Sequence, residues 1–583
     1  MFLATTSDQR FWKAEEKICF LGEWCTAYEK RHIWSKLDFE MTTHPWVDRA
    51  RMYKDYRYLD EVYERSLSSL TAALNEAHSK NHSLRFWRTL VGPWLSFFIG
   101  DLYEKFILLK SVEESGLVTN TWIAPDGAGD IVPRDYLHCR KLATGDVWNH
   151  RLLSRLVKSM GTIPYEIKNI PNLHNLFDEE AFSYQADYIK STAKKLLGWY
   201  SRRLPSCWNR VVIVSSYLNP WDLAKLQLSV GQSPWLLGPK VDVHESPVNW
   251  GLREKLKLTA GKNQFEVLLG KLLPTQFPTG YLESFAEILE KSLKAFPGNP
   301  KIILSTFGPA NEGFKFWSAS QAERGVKIIG SQYGGGYGMH RWSWLERHEF
   351  HIFDKYFSWG WKPEDQPKAI PLSSGKLAGI KKKIRVDPKG GILWLGLSRT
   401  RYSYMMMTVP RMPDYLKEQE RFVAAISPEA RRLLSMRCNP IDLGWNEVKR
   451  LADVFPSLKV YRGKKPMFFD LNRSRLCIST YNSTTYLETF AANYPTLLFW
   501  DPEQNELRSL AQPYFDDLRR SGIFHESPES AAAKVNEIYQ DPLSWWMSPE
   551  VQEAKNKFCR QFAHTSEKWI GEWKGEILKA SKA

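Results

Sequence analysis

The segment Gln332-Tyr333-Gly334-Gly335-Gly336-Tyr337-Gly338 follows an apolar run and precedes His340, Arg341, Glu346, Arg347, His348, Glu349 and His351. Four glycines remove side-chain bulk and let backbone N–H groups approach an anion, while a carboxylate or imidazole beside such a loop can take a proton from an acceptor hydroxyl. Glu346 and Glu349 are three apart and share a face if their segment is helical. A tight structural turn is the competing account of the glycines, and salt-bridged surface groups that of the carboxylates. Their density beside one loop favours chemistry: Gln332, Gly334, Gly335 and Gly336 are expected on a donor ligand, and His340, Glu346 and Glu349 in acid–base work. The string is not a dinucleotide fingerprint, because no GxGxxG helix start with a downstream acid is evident.

A second candidate begins at Ser479, Thr480, Asn482, Ser483, Thr484 and Thr485, after the apolar run Leu476-Cys477-Ile478 and before a helical segment from Tyr486 to Asn493 that carries Glu488. Hydroxyls and free N–H groups at a helix N-terminus suit a phosphate, and a carboxylate one turn in can bind ribose hydroxyls. Capping explains one or two of these residues, not readily all six. Arg399 and Arg401, after Ile392-Leu393-Trp394-Leu395-Gly396-Leu397, could neutralise that phosphate from the opposite lip, with surface arginines as the alternative. Glu23, in Gly22-Glu23-Trp24-Cys25, stands at a possible acceptor-side rim. Asp126 and Asp130 are weaker candidates, because Pro125-Asp126-Gly127-Ala128-Gly129-Asp130 also reads as a plain turn.

What must position these residues is a repeated strand–loop–helix pattern. Lys301 to Ser305, a helical segment from Asn311 to Arg324 and the strand Val326 to Gly330 lead to the glycine loop; Leu476 to Ser479, the next helix and Thr496 to Trp500 frame the Ser/Thr loop. Short apolar runs alternating with helical periods imply parallel sheets with ligands beyond their carboxyl ends. Phe2 to Thr6 and Ile18 to Gly22 read as strands flanking a helix from Phe11 to Lys17. Residues 49 to 77 space apolar side chains as one long amphipathic helix, and 84 to 115 continue helical with an interruption at Gly92-Pro93.

The expected fold is therefore α/β: two Rossmann-like domains facing a cleft, with helical elaborations on the N-terminal half. Residues 1–360 form the acceptor side, the Pro- and Gly-rich stretch 361–391 a linker, and residues 392–583 the phosphate-binding side with C-terminal helices.

With 80 Lys and Arg against 65 Asp and Glu, the net charge of +15 favours anionic partners such as nucleotides or phosphorylated lipids. Its densest run, Lys381-Lys382-Lys383, falls in the linker and reads as solvated. The seven cysteines are scattered without a CxxC pair, as in a reduced cytoplasmic protein. The start lacks a signal-peptide pattern, and the best membrane candidate, Leu90 to Ile99, contains Pro93 and is half the roughly 20 residues a spanning helix needs. The expectation is a cytoplasmic protein, with peripheral contact to an anionic inner membrane.

Phe2-Leu3-Ala4-Thr5-Thr6 with Gly22-Glu23-Trp24-Cys25, Asn81 to Arg88 leading to Gly92-Pro93-Trp94, and the glycine loop leading to Ser358-Trp359-Gly360-Trp361 resemble, nearly end to end, a family of transferases from bacterial surface-polysaccharide and O-antigen loci. The Ser/Thr loop, Glu488 and Tyr494-Pro495-Thr496 are similar to the nucleotide-binding half of GT-B glycosyltransferases. One departure is Gln332-Tyr333, where related proteins often carry Gln-His. The resemblance implies transfer of a sugar from a nucleotide-sugar donor to a lipid-linked or oligosaccharide acceptor. With no Asp-x-Asp string in a convincing place, and helix N-termini and arginines to stabilise the leaving phosphate, no metal is expected, and neither a cofactor nor nucleic acid. A polyol-phosphate transferase with a CDP-linked donor and His340 as base is an alternative. A catalytically silent assembly protein is another.

Overall fold

The computed structural model describes residues 1–127, 131–169, 206–214, 216–234, 239, 241–258, 261–306, 311–402 and 406–582. Within them the α/β expectation is met by three parallel sheets. The first contains β1 (Phe2–Ala4), β2 (Ile18–Phe20), β3 (Phe39–Met41), β4 (Asn120–Ile123) and β5 (Glu166–Ile167) in the order β3-β2-β1-β4-β5. The second contains β6 (Val211–Val214), β7 (Ile302–Ser305), β8 (Lys327–Ser331), β9 (Lys355–Ser358) and β10 (Ala369–Pro371), neighbours in simple chain order. The third contains β11 (Gly391–Leu395), β12 (Leu434–Cys438), β13 (Lys459–Arg462), β14 (Ser474–Ser479), β15 (Thr496–Phe499) and β16 (Phe524–His525) in the order β13-β12-β11-β14-β15-β16. Residues 1–360 thus carry most of two sheets, and residues 361–391 contain β10 and the helix Gly375–Lys381.

Strand order decides where a ligand can enter. The first and third sheets start centrally, grow one way and then reverse, so crevices open beyond the carboxyl ends of β1/β4 and β11/β14. The second sheet has no reversal, and hence no such crevice beside the glycine loop that follows β8.

The long helices form where the spacing predicts. Arg49–His78 starts at Asp48, whose carboxylate accepts from the Arg51 N–H, and stops at Ser79 in the left-handed region. Leu84–Ser115 runs through Pro93 without interruption, capped by Ser83 and ended by Gly116 at φ 63°. It packs on the first helix and on Glu312–Glu323 and Trp344–Ile352, joining the first two sheets. The expected helix from Phe11 to Lys17 is instead one 3-10 turn, Gln9–Phe11, because Asp8 accepts from the Arg10 N–H, the backbone is extended at Trp12, and a separate turn follows in which the Glu16 N–H donates to the Lys13 carbonyl.

The chain end returns to the middle sheet. Trp569, Trp573 and Ile577 of the helix Trp569–Lys582 pack on Val211, Ile213, Ile302 and Leu304, while Phe558 and Phe562 join Trp359 and Trp361. Burying two tryptophans in this way contributes several kcal/mol, about 2–3 per large side chain. No helix among the described residues is long and apolar enough to cross a membrane.

Candidate functional site

Beyond β11 and β14 lies a cavity of about 440 Å³, lined by Ser398, Arg399, Tyr481, Ser483, Thr485 and Glu488 together with residues after β12. A smaller cavity of about 160 Å³ adjoins it, with walls from Glu23 and Trp24 after β2, His44, Glu104, Arg140 and the segment 398–401. Ser398 and Arg399 line both. The cleft therefore lies between the first and third sheets.

The two arginines left open by the sequence separate here. Arg401 is a clamp: Nη2 lies 3.1 Å from both oxygens of Asp146, Nη1 donates to the Ser7 hydroxyl at 3.0 Å, and Tyr402 donates to the same carboxylate. Among the described residues Arg399 has no carboxylate within ion-pair distance, its Nε lacks a hydrogen-bond partner, and Nη1 meets only the Met407 sulfur at 3.8 Å. Burial without a counter-charge, with Arg140 nearby, pushes its pKa down to about 10, so it remains a cation at neutral pH. Such a group suits an incoming anion.

The Ser/Thr loop divides into support and surface. Thr480 Oγ1 donates to the Leu395 carbonyl at 2.9 Å and meets the Tyr415 hydroxyl at 2.7 Å, tying β14 to β11. Ser479 is fully buried, with its hydroxyl on the Tyr481 carbonyl at 3.4 Å. Asn482 Oδ1 accepts from the Tyr486 hydroxyl at 2.8 Å, and Thr484 Oγ1 accepts from the Gly335 N–H at 2.8 Å. Ser483 and Thr485 face the cavity, as does Glu488 on the helix Thr484–Ala491. Lys376 Nζ approaches Glu488 at 3.8 Å, and burial raises the carboxyl above its usual range.

The glycine loop and its polar neighbours meet protein rather than a cavity wall. A Cβ on Gly335 would stand 2.3 Å from the Ser483 carbonyl carbon, one on Gly334 3.0 Å from Thr484 Oγ1, and one on Gly336, at φ 84°, against the His340 ring. Gln332 braces the loop by accepting from the Trp359 N–H at 3.0 Å and the Trp361 indole at 2.7 Å while donating to the Gly334 carbonyl at 2.7 Å. His340 Nε2 is 3.1 Å from the Asn482 carbonyl. Glu346 accepts from the Gly338 N–H at 2.8 Å and pairs with Arg508 at 2.5 Å, and Arg508 also donates to the His340 carbonyl. Glu349 is fully buried, accepting from Tyr337 at 3.1 Å. On the helix Trp344–Ile352 both carboxylates lie on the inward face; Glu346 through Arg508 and His340 through Asn482 join the second sheet to the third, while Glu349 stays among second-sheet tyrosines.

That joint carries a pH signature. Burial holds His340 at a pKa of about 4, below the ordinary 6.5, so the unfolded chain takes the proton first. Its contribution to stability is present above pH 6.5 and is lost as pH falls toward 4. At pH 5 the loss is about 2 kcal/mol. Urea midpoints should therefore drop between pH 7.5 and pH 5, and His340→Gln should flatten part of that slope; equal slopes would remove this role for His340.

Glu23 reaches the cleft, where it pairs with Arg411. Asp126 lies on an exposed turn beside Lys158, and Asp130 lies outside the described residues. Residues missed by sequence reasoning are Tyr481, Ser398, His44 and Glu104. Glu104 had one signal: Asp101, Glu104 and Lys105 interrupt the apolar surface of a helix. Among the described residues no group of three His, Cys, Asp or Glu is placed to hold a metal ion.

Residues 1–577 match the family described as LIC12162 family transferase. No curated protein matches. The chain is similar to solved structures of α,α-trehalose-phosphate synthase (UDP-forming) from Burkholderia vietnamiensis, at 11% identity over 64% of this chain and 97% of that one with a TM-score of 0.35, and of MurG from Acinetobacter baumannii, at 12% identity over 51% and 78% with a TM-score of 0.30. The N-terminal domain of Candida albicans trehalose-6-phosphate phosphatase is similar at 13% identity over 67% and 95%, with a TM-score of 0.32. At such scores the architecture rests on the strand orders, not on the likeness.

Proposed function

We propose, from the premise that the chain belongs to the LIC12162 family of transferases, that it moves a sugar from a nucleotide-activated donor to a hydroxyl of a surface-polysaccharide precursor. The observation that carries this reading is Arg399, a guanidinium without a carboxylate partner among the described residues, standing between two cavities at the β11/β14 reversal. In it the donor occupies the larger cavity, its phosphate on Arg399 and Ser483 near the N-terminus of Thr484–Ala491, and its ribose near Glu488. The acceptor enters from the Glu23 side. When the bond from the anomeric carbon to the phosphate oxygen breaks, the charge gathering on that oxygen meets groups already oriented toward it. We read the transfer as metal-independent on that account. The lipid-linked or oligosaccharide nature of the acceptor and contact with an anionic membrane are supported by the family resemblance and the net charge of +15.

The polyol-phosphate reading uses the same cavity with His340 as base. His340 is 6% exposed and occupied by the Asn482 carbonyl, which favours the sugar-transfer reading.

Isothermal titration with CMP, CDP, UDP, GDP and their common sugar conjugates tests the proposal. At least one sugar conjugate is expected to bind with a micromolar dissociation constant, about −8 kcal/mol. Preference for a CDP-polyol would move the reading to polyol-phosphate transfer. Absence of binding by all of them at millimolar concentration would end it.

A further inference from the structure

The basic run of the linker does not stand alone in the folded chain. Lys382, Lys383, Arg385 and Lys389 share a face of the third sheet with Lys464 and Lys465 on the segment after β13, and all six are exposed. The two segments are tied together: the Arg385 N–H donates to Asn472 Oδ1 at 2.8 Å, and Asn472 Nδ2 donates to the Lys383 carbonyl at 2.9 Å. Beneath them Ile384 and Leu471 are buried against Leu393 and Leu395 of β11, which fixes both on that face. Among the described residues none of the six cations has a carboxylate within ion-pair distance. Of the acids in these segments, Asp470 is paired with Arg437, and Asp387 accepts from the Lys389 N–H at 3.0 Å. Lys383 Nζ stands 5.6 Å from the centre of the Phe468 ring and Lys465 Nζ 5.9 Å from that of Phe469, while the two rings stack at 4.4 Å. Phe469 is 46% exposed.

We propose that this face of the third sheet docks on an anionic lipid bilayer, with the lysines among head-group phosphates and the Phe469 ring at the hydrocarbon boundary. Ammonium groups without internal partners around an exposed ring match a surface that carries negative charge outside and hydrocarbon beneath. A nucleobase would need an open ring face, whereas these rings stack on each other under lysines. Met467, in the same segment, packs on the same core and lines the larger cavity, so docking sets that cavity beside the bilayer. The inference rests on the reading above for the lipid-linked acceptor that docking would serve; the surface itself is carried by the charges and the ring.

Co-flotation of the full chain with phosphatidylcholine vesicles, with and without an equal share of phosphatidylglycerol, tests it. The wild type is expected to bind the anionic vesicles and not the neutral ones, and added salt should weaken the binding. Each lysine at such a surface is worth about fivefold, so Lys382→Gln, Lys389→Gln and Lys465→Gln combined should lose about a hundredfold in partitioning. Phe469→Ser alone should lose about tenfold. The control combines Lys54→Gln, Lys225→Gln and Lys271→Gln, three exposed lysines on the helices Arg49–His78, Pro220–Ser229 and Gln264–Gln276. It makes the same change in net charge and should stay within about threefold of the wild type. Melting curves and nucleotide titrations of both triple variants should match those of the wild type. Equal losses in the two triple variants, no binding of anionic vesicles by the wild type, or tighter binding of single-stranded nucleic acid through the same three lysines would each overturn the docking surface. A wild type that docks but binds no nucleotide sinks the donor reading and leaves this surface standing; one that binds a nucleotide but no vesicle does the reverse.

Discussion

Replacing Arg399 by alanine is expected to remove most nucleotide binding and, with it, turnover. The side chain sits at the carboxyl end of β11 without a carboxylate partner among the described residues, between the two cavities. A phosphate placed there gains a charge-assisted bond, and truncation removes it. The expected loss is about 3 kcal/mol, roughly a hundredfold in the dissociation constant. Because Arg399 has no ion pair to break among the described residues, the folded state should lose little, and the melting temperature of the unliganded variant should stay near that of the wild type. Arg399→Lys keeps the charge but not the planar donor fork, so it should fall between the two. The contrast with Arg401→Ala is diagnostic. Arg401 binds Asp146 and Ser7 across the first and third sheets, so its removal should lower stability first. Nucleotide titrations alongside melting curves distinguish the two patterns; an Arg399→Ala protein with wild-type affinity would move the phosphate elsewhere.

Gly335→Val is expected to be among the most destabilising single changes in the chain. A Cβ would stand 2.3 Å from the Ser483 carbonyl carbon and 2.5 Å from the Thr484 nitrogen, and both are backbone atoms that no rotamer change can move aside. Relief requires the glycine loop to withdraw. That withdrawal breaks the Gly335–Thr484 bond and disturbs the His340–Asn482 contact behind Ser483. The cost should reach about 3 kcal/mol or more, at the upper end for overpacked sites. Donor affinity should fall as well, since Ser483 lines the larger cavity. Gly575→Ala is the control: a Cβ there meets nothing within 4 Å, and alanine in a helix should be neutral or stabilising by about 0.5–1 kcal/mol. Denaturant midpoints for the two variants should move in opposite directions or differ widely. A Gly335→Val protein as stable as wild type would mean the two loops do not meet in solution.

The glycine loop illustrates how a sequence signal can be sound and its target misplaced. The glycines do mark close approaches: Gly334 and Gly335 face the Ser483–Thr484 turn, Gly336 the His340 ring and Gly338 the Trp361 indole. The Ser/Thr loop was legible at its helix start and at Glu488. Which hydroxyls face the cavity was not, because Thr480 and Thr484 have partners far away in the chain, Leu395 and Gly335. His44 and Glu104 left almost no trace, since their proximity depends on the packing of a helix against a distant loop.

By itself the sequence determined the α/β class, the long helices and the strands around both loops, all of which follow from local periodicity, turn chemistry and caps; it left Arg399 and Arg401 equally open. Only the tertiary structure decided the strand orders, and these set the site. A reversal between β11 and β14 opens a crevice, whereas the chain-ordered second sheet opens none beside its glycine loop. Strand order is fixed by contacts between segments far apart in sequence, to which periods of two and 3.6 residues are blind.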